Sequence, residues 1–136
     1  MSKKNSFFFK NLKRFKDKKA LILENKKFVT YNDLLLSSIK ISKKLSEKKK
    51  LVFLLGRNDL ETITAYISFI NKGHAVAFLD FKISNFFLNR LISLYKPSFI
   101  FCEKKRLYKS KLYNLRLNFK SYVLYKREKN IYKGSE

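Results

Sequence analysis

The chain is poor in the residues that usually shape loops and carry catalysis. Its 136 residues include 3 glycines, 1 proline, 1 cysteine, 1 histidine and no tryptophan. The glycines stand at Gly56, Gly73 and Gly134, too far apart to form a phosphate-cradling loop. Such a loop stacks backbone N–H groups on an anion along a tight path that glycine tolerates and other residues do not. The lone Cys102 excludes an intrachain disulfide and a cysteine cluster for zinc, and in its apolar run it reads as a small buried hydrophobe. Long apolar runs are also missing. Phe7, Phe8 and Phe9 are followed at once by Lys10, too short a stretch for a signal-peptide core, and nothing later approaches a membrane span. The chain therefore reads as cytoplasmic.

Acidic side chains are scarce too: 10 against 32 lysines and arginines, a formal net charge of +22. That imbalance predicts attraction to nucleic acid or an anionic membrane, and self-repulsion in the folded state. The cations run from Lys3 to Lys19, from Lys43 to Lys50 and from Lys104 to Lys133. They are mostly lysines spread over every expected surface, and arginine, the better bidentate reader of phosphates, is the minority. Two readings stand: a compositional drift across the whole protein, or a functional anion-binding surface. Hydrophobic residues at 46% argue against wholesale disorder, and the length fits one domain with a real core.

Apolar periodicity then lays out an α/β order. Phe8, Leu12 and Phe15 recur at helical spacing, predicting a basic amphipathic helix over residues 1–19, laid on its own domain or on a membrane surface. Two apolar runs flank Asn25, Lys26 and Lys27, predicting a hairpin. Thr30 with Asp33 makes a short capping box, and Leu34, Ser38, Ile41 and Leu45 mark the face of the helix that follows. The lysine run at 43–50 ends that helix and reads as solvated. LVFLL at 51–55 predicts a strand covered on both faces. After a turn at Gly56, Arg57 and Asn58, the spacing of Leu60, Ile63, Ile67 and Ile70 predicts the inner stripe of a helix closed by Gly73. AVAFL at 75–79 predicts a second central strand. A helix from Ser84 carries Phe87, Leu88, Leu91, Ile92 and Tyr95 until Pro97 stops it. SFIFC at 98–102 predicts a third strand, residues around Tyr108, Leu112 and Leu115 a weak helix, and 122–125 a fourth strand. The fold class is α/β, a mostly parallel sheet with flanking helices, preceded by the short hairpin.

The chemistry-bearing residues are few. His74 has no serine or metal partner advertised near it and reads as structural. Asp80 stands beyond the end of an expected parallel strand, where open α/β sheets put ligands, and where turns also use aspartate. Arg57 and Asn58 follow another strand end and meet either a substrate or the loop backbone. Asp59 and Glu61 sit at a helix start as capping and dipole-matched groups. Phe99, Phe101, Tyr122 and Tyr125 fall within strands, which is core patterning rather than a base-stacking platform.

VTYNDLL at 29–35 and FINKGHAVAFLD at 69–80 resemble the first two conserved segments of the adenylate-forming superfamily: acyl-CoA synthetases, luciferases and peptide-synthetase adenylation domains. In the first, Val29, Thr30, Tyr31, Asp33 and Leu34 match, with aspartate for the usual glutamate. In the second, the match runs from Ile70 to Asp80. LVFLLGRNDLETITAYISFI between them and KPSFIFCEK after them resemble further family segments, in order and in register from about residue 20 to 104. Phe78 and Phe81 replace two family prolines, which implies an altered loop beyond the strand.

The resemblance implies an incomplete N-terminal part of the family's large domain, with residues 20–136 forming a partial AMP-binding-type α/β domain. A complete enzyme of this kind activates a carboxylate with ATP and magnesium, releases pyrophosphate and passes the acyl group to a thiol or other acceptor. The family's phosphate loop, its aromatic–Gly–x–Thr–Glu segment, its ribose-binding aspartate and its C-terminal lysine have no counterpart in residues 1–136. Hence no catalytic, cofactor-binding or metal residue carries over, and no cofactor is expected for the chain alone. The expectation is a truncated frame or one half of a split ligase, inactive alone and completed by a second polypeptide. Two other readings remain: a basic α/β module binding nucleic acid or another polyanion, and a degenerate scaffold or protein-interaction subunit.

Overall fold

The computed structural model describes residues 12–106 and 111–128. A helical turn at 12–14 leads into an antiparallel hairpin, β1 (Lys19–Ile22) and β2 (Phe28–Thr30). The Asn25 side chain accepts the Lys27 N–H at its apex, a bond that asparagine makes readily two residues along a turn. Most of the expected helix over 1–19 lies outside the described residues. Leu12 is buried with Val29, Leu34 and Ile67, whereas Phe15 faces outward beside Arg14 and Lys18.

Helix α1 (Tyr31–Ser42) begins with the expected reciprocal cap: Asp33 N–H donates to Thr30 Oγ1 at 3.1 Å, and Thr30 N–H donates to Asp33 Oδ2 at 3.0 Å. Leu34, Ser38 and Ile41 are buried as their spacing predicts. Ser38 is small enough to bring a neighbouring helix close, and its carbonyl accepts the Ser68 hydroxyl at 2.8 Å. Leu45 is buried as well, but from the turns after the helix rather than from its last turn.

The main sheet comprises β3 (Leu51–Leu55), β4 (Ala75–Leu79), β5 (Phe99–Glu103), β6 (Tyr113–Phe119) and β7 (Tyr122–Arg127), with helices α2 (Leu60–Asn71) and α3 (Asn85–Tyr95) between the early strands. Its spatial order is β4-β3-β5-β7-β6. The first three strands are parallel, and β7 and β6 continue antiparallel. Val52 and Leu54 pack on one face with Ala65 and Phe69 of α2. Phe53 and Leu55 pack on the other with Leu88 and Ile92 of α3. Burial on both faces is why LVFLL is continuously apolar. α2 closes in a Schellman arrangement, with Gly73 N–H on Ile70 O, His74 N–H on Phe69 O, and Gly73 at φ +79°.

Four expectations need correction. AVAFL is an edge strand rather than a central one, so Phe78 is 56% exposed. Leu60, Ile63 and Ile67 of α2 face α1 and the hairpin, while Thr62, Ala65 and Phe69 serve the sheet. A helix buried on two sides has no single stripe, and periodicity finds the more apolar one. On α3, Phe87 and Tyr95 are exposed although Leu88 and Ile92 are buried. Finally, the segment through Leu112 and Leu115 forms no helix: 113–119 is strand β6, and Tyr108 lies outside the described residues. Tyr113, Leu115, Leu117 and Phe119 alternate with polar residues, the period of a strand. A bulge between Leu115 and Leu117 then shifts the face, so Tyr113 packs on the α3 side and Leu117 and Phe119 on the α2 side.

Candidate functional site

From β3 the chain crosses to β4 on one side, then returns past β3 to β5 on the other. The order in which strands are added therefore reverses between the parallel neighbours β3 and β5, and the crevice outside their carboxyl ends is where open α/β sheets hold ligands. The β3–α2 turn supplies Gly56, Arg57 and Asn58. A Cβ on Gly56 would stand 2.3 Å from both Thr62 Cγ2 and Oγ1, so glycine is what lets the turn close on the first turn of α2. Asp59 caps α2, accepting Thr62 N–H on Oδ1 at 2.9 Å.

Its other carboxylate oxygen accepts the Tyr122 hydroxyl at 2.5 Å, across 63 residues of sequence. This bond ties the start of β7 to the start of α2. Burial pushes the Tyr122 phenol above its ordinary range, and the Asp59 bond adds to the effect. Arg57 lays its guanidinium over the Phe81 ring, 3.8 Å from the centroid, and reaches Glu103 at 3.9 Å. Both partners of that ion pair are substantially exposed, so its contribution is small. Arg106 grips the same loop from the far side, donating to Phe81 O at 2.7 Å and Asn85 Oδ1 at 2.8 Å. Phe81 is thus the residue around which two arginines order this loop.

Between the hairpin and these loops lies a cleft of about 670 Å³. Its charged lining is Arg57 and Lys120 against Glu24, Asp59 and Glu61. In a chain of net charge +22, this is a locally acid-balanced place. A triphosphate does not fit it: three carboxylates face the cleft, and Arg57 is already engaged by Phe81 and Glu103. Magnesium is no better served, since both Asp59 oxygens carry hydrogen bonds and Asp80 Oδ1 takes Lys82 N–H at 2.9 Å. Among the described residues no group of three or more histidine, cysteine, aspartate or glutamate side chains converges on a metal position.

Of the residues singled out from sequence, Arg57, Asn58, Asp59 and Glu61 come together on this cleft, and Glu61 meets Lys120 at 3.9 Å. Asp80 is an exposed turn residue that caps its own loop through Lys82 N–H and Ile83 N–H. His74 lies at the opposite end of the sheet, 5% exposed, accepting Lys50 N–H on Nδ1 at 3.0 Å. Cys102 is fully buried, and burial pushes its thiol up to about 12. No nucleophile is paired with a base among the described residues of the cleft. Tyr122, Phe81, Glu103 and Arg106 were not legible as site residues, because each acts through a partner brought in by tertiary folding.

Neither a family profile nor a curated protein sequence matches the chain. Among solved structures, the fold is similar to that of apo MatB from Rhodopseudomonas palustris, an adenylate-forming enzyme, with a TM-score of 0.56 and 14% sequence identity. The likeness covers 64% of this chain and 19% of MatB, so the chain spans under one fifth of the protein it matches. The α/β architecture expected from the motif series is therefore present, as a fold shared with part of an adenylate-forming enzyme.

Proposed function

We propose that the chain is a scaffold portion of an ATP-dependent, carboxylate-activating ligase, inactive alone and completed by a second polypeptide. The observation that carries this reading is the fold likeness to MatB over only 19% of that protein. It agrees with the ordered motif series from residue 20 to 104. Both open edges of the sheet add support, because a sheet that continues into further structure leaves apolar groups at its margin. Phe78 on edge strand β4 is 56% exposed and Leu115 on edge strand β6 is 53% exposed. Under this reading the portion over 20–136 supplies sheet and substrate-facing wall, while the groups that bind ATP and magnesium belong to the other polypeptide. The described cleft suits that division, having a shaped wall and no phosphate cradle.

The test is ATP–pyrophosphate exchange with a pool of carboxylic acids, comparing the chain alone with the chain plus the product of the adjoining downstream reading frame. Exchange in the mixture and not in either component is the expected result. Absence of exchange with both proteins folded and in contact sinks the split-ligase reading and leaves a decayed scaffold.

A further inference from the structure

Away from the cleft, at the opposite end of the sheet, a second concavity of about 420 Å³ opens between the residues preceding β3 and β5 and the last residues of β7. Strand β7 runs antiparallel to β5, with Lys126 opposite Phe99, so its C-terminal end arrives at the same edge as Lys50 and Ser98. Lys50, Lys126 and Arg127 line this pocket with the serines Ser46 and Ser98, and all five are half-buried. The one lining carboxylate is Glu128, whose Oε1 already accepts the Asn114 amide at 2.5 Å. None of the three cations forms an ion pair with a described residue. Three partly desolvated positive charges sharing one hollow repel each other unless an anion enters it.

His74 stands directly behind the wall of the same pocket. His74 touches three of its lining residues: it accepts the Lys50 N–H, packs its ring 5.9 Å from that of Phe99, and lies against the Ser46 backbone. Because Nδ1 accepts, the proton of the neutral imidazole sits on Nε2. That N–H is buried, with the Ser46 backbone beside it as the group that favours the imidazolium against the cost of burial.

We infer that this pocket, between Lys50, Lys126 and Arg127, is a binding site for a small multivalent oxyanion of the phosphate type. Its volume falls in the range of small-ligand sites, roughly 300–1,000 Å³. Its concave form distinguishes it from the dispersed surface lysines, which would attract an extended polyanion without preference. The Ser98 hydroxyl and the Arg127 guanidinium, which also reaches the Tyr113 phenol, add directional donors to the two ammonium charges, the combination that holds a tetrahedral oxyanion.

His74 is the sole histidine, so its imidazole gives one unambiguous NMR reporter at the pocket wall. The experiment titrates the full chain with inorganic phosphate and then pyrophosphate, at constant ionic strength held by chloride. A saturable displacement of the His74 Nε2 signal is expected, tighter for pyrophosphate than for phosphate. Arg127→Ala weakens pyrophosphate binding about tenfold, the loss of one charge-assisted contact. Lys126→Gln, closer in shape, is expected to weaken it in the same direction, and Lys82→Gln, exposed in the loop beyond the carboxyl end of β4 at the other end of the sheet, leaves it unchanged. The site is overturned if the signal does not saturate, if all three variants behave alike, or if a short DNA duplex produces the same displacement more tightly. The last result would mean a diffuse polyanion surface.

Discussion

Replacing Gly56 by alanine tests the packing that shapes the cleft. The added methyl would stand 2.3 Å from Thr62 Cγ2, 2.3 Å from Thr62 Oγ1 and 2.8 Å from Thr62 Cβ. Separations that short cannot persist, so either the turn or the first turn of α2 must move. Thr62 is 6% exposed, and its N–H is held by the Asp59 carboxylate, so it has little freedom to yield. Overpacking of this kind costs about 1–3 kcal/mol. For a domain of this length, melting falls by roughly 3–4 °C per kcal/mol. The assay is a pair of urea and thermal melts followed by circular dichroism, on four proteins: wild type, Gly56→Ala, Thr62→Gly and the double variant. Thr62→Gly carries its own cost in lost burial and helix propensity. The double variant should nonetheless be more stable than the two single losses predict, with a coupling of about 1 kcal/mol or more. A Gly56→Ala protein that melts within about 1 °C of wild type, or strictly additive losses, would refute the close-packing argument.

Tyr122→Phe removes the donor that ties β7 to the Asp59 carboxylate and should cost about 1.5–3 kcal/mol in a urea melt, the range of a hydrogen bond to a charged group; an unchanged midpoint would show the bond to be idle. His74 titrates below its ordinary value of 6.5, chiefly because burial disfavours the imidazolium. The unfolded chain therefore binds the proton first as the pH falls, so this residue's contribution is complete above about 6.5 and is lost as the pH drops from there to the lowered native value. His74→Gln should flatten the decline in stability between pH 7.5 and 5, and an unaltered pH profile would contradict that. On the open sheet edge, Phe78→Lys should leave stability within about 0.5 kcal/mol and reduce self-association in sedimentation, whereas a large loss of stability would mean that Phe78 belongs to the core.

Local rules determined much of this protein from sequence alone. Thr30 and Asp33 set a helix start, Gly73 a helix stop, and Pro97 the end of another, because each acts on backbone groups a few residues away. The continuous apolar run at 51–55 declared a strand buried on both faces for the same kind of reason. Tertiary structure alone decided what depends on partners distant in the chain. It placed AVAFL at an edge, since strand order is a matter of which neighbours pair and not of composition. It turned 113–119 into a strand by offering β7 as a partner, although Leu112 and Leu115 also fit a helical period. It also built the cleft. Asp59 was legible as a cap, but Tyr122 reaches it from 63 residues away, and Phe81 becomes a site residue only where Arg57 and Arg106 close on it. A cap needs its neighbours in sequence, whereas a cleft needs neighbours in space, and those exist only once the sheet has brought its strand ends together.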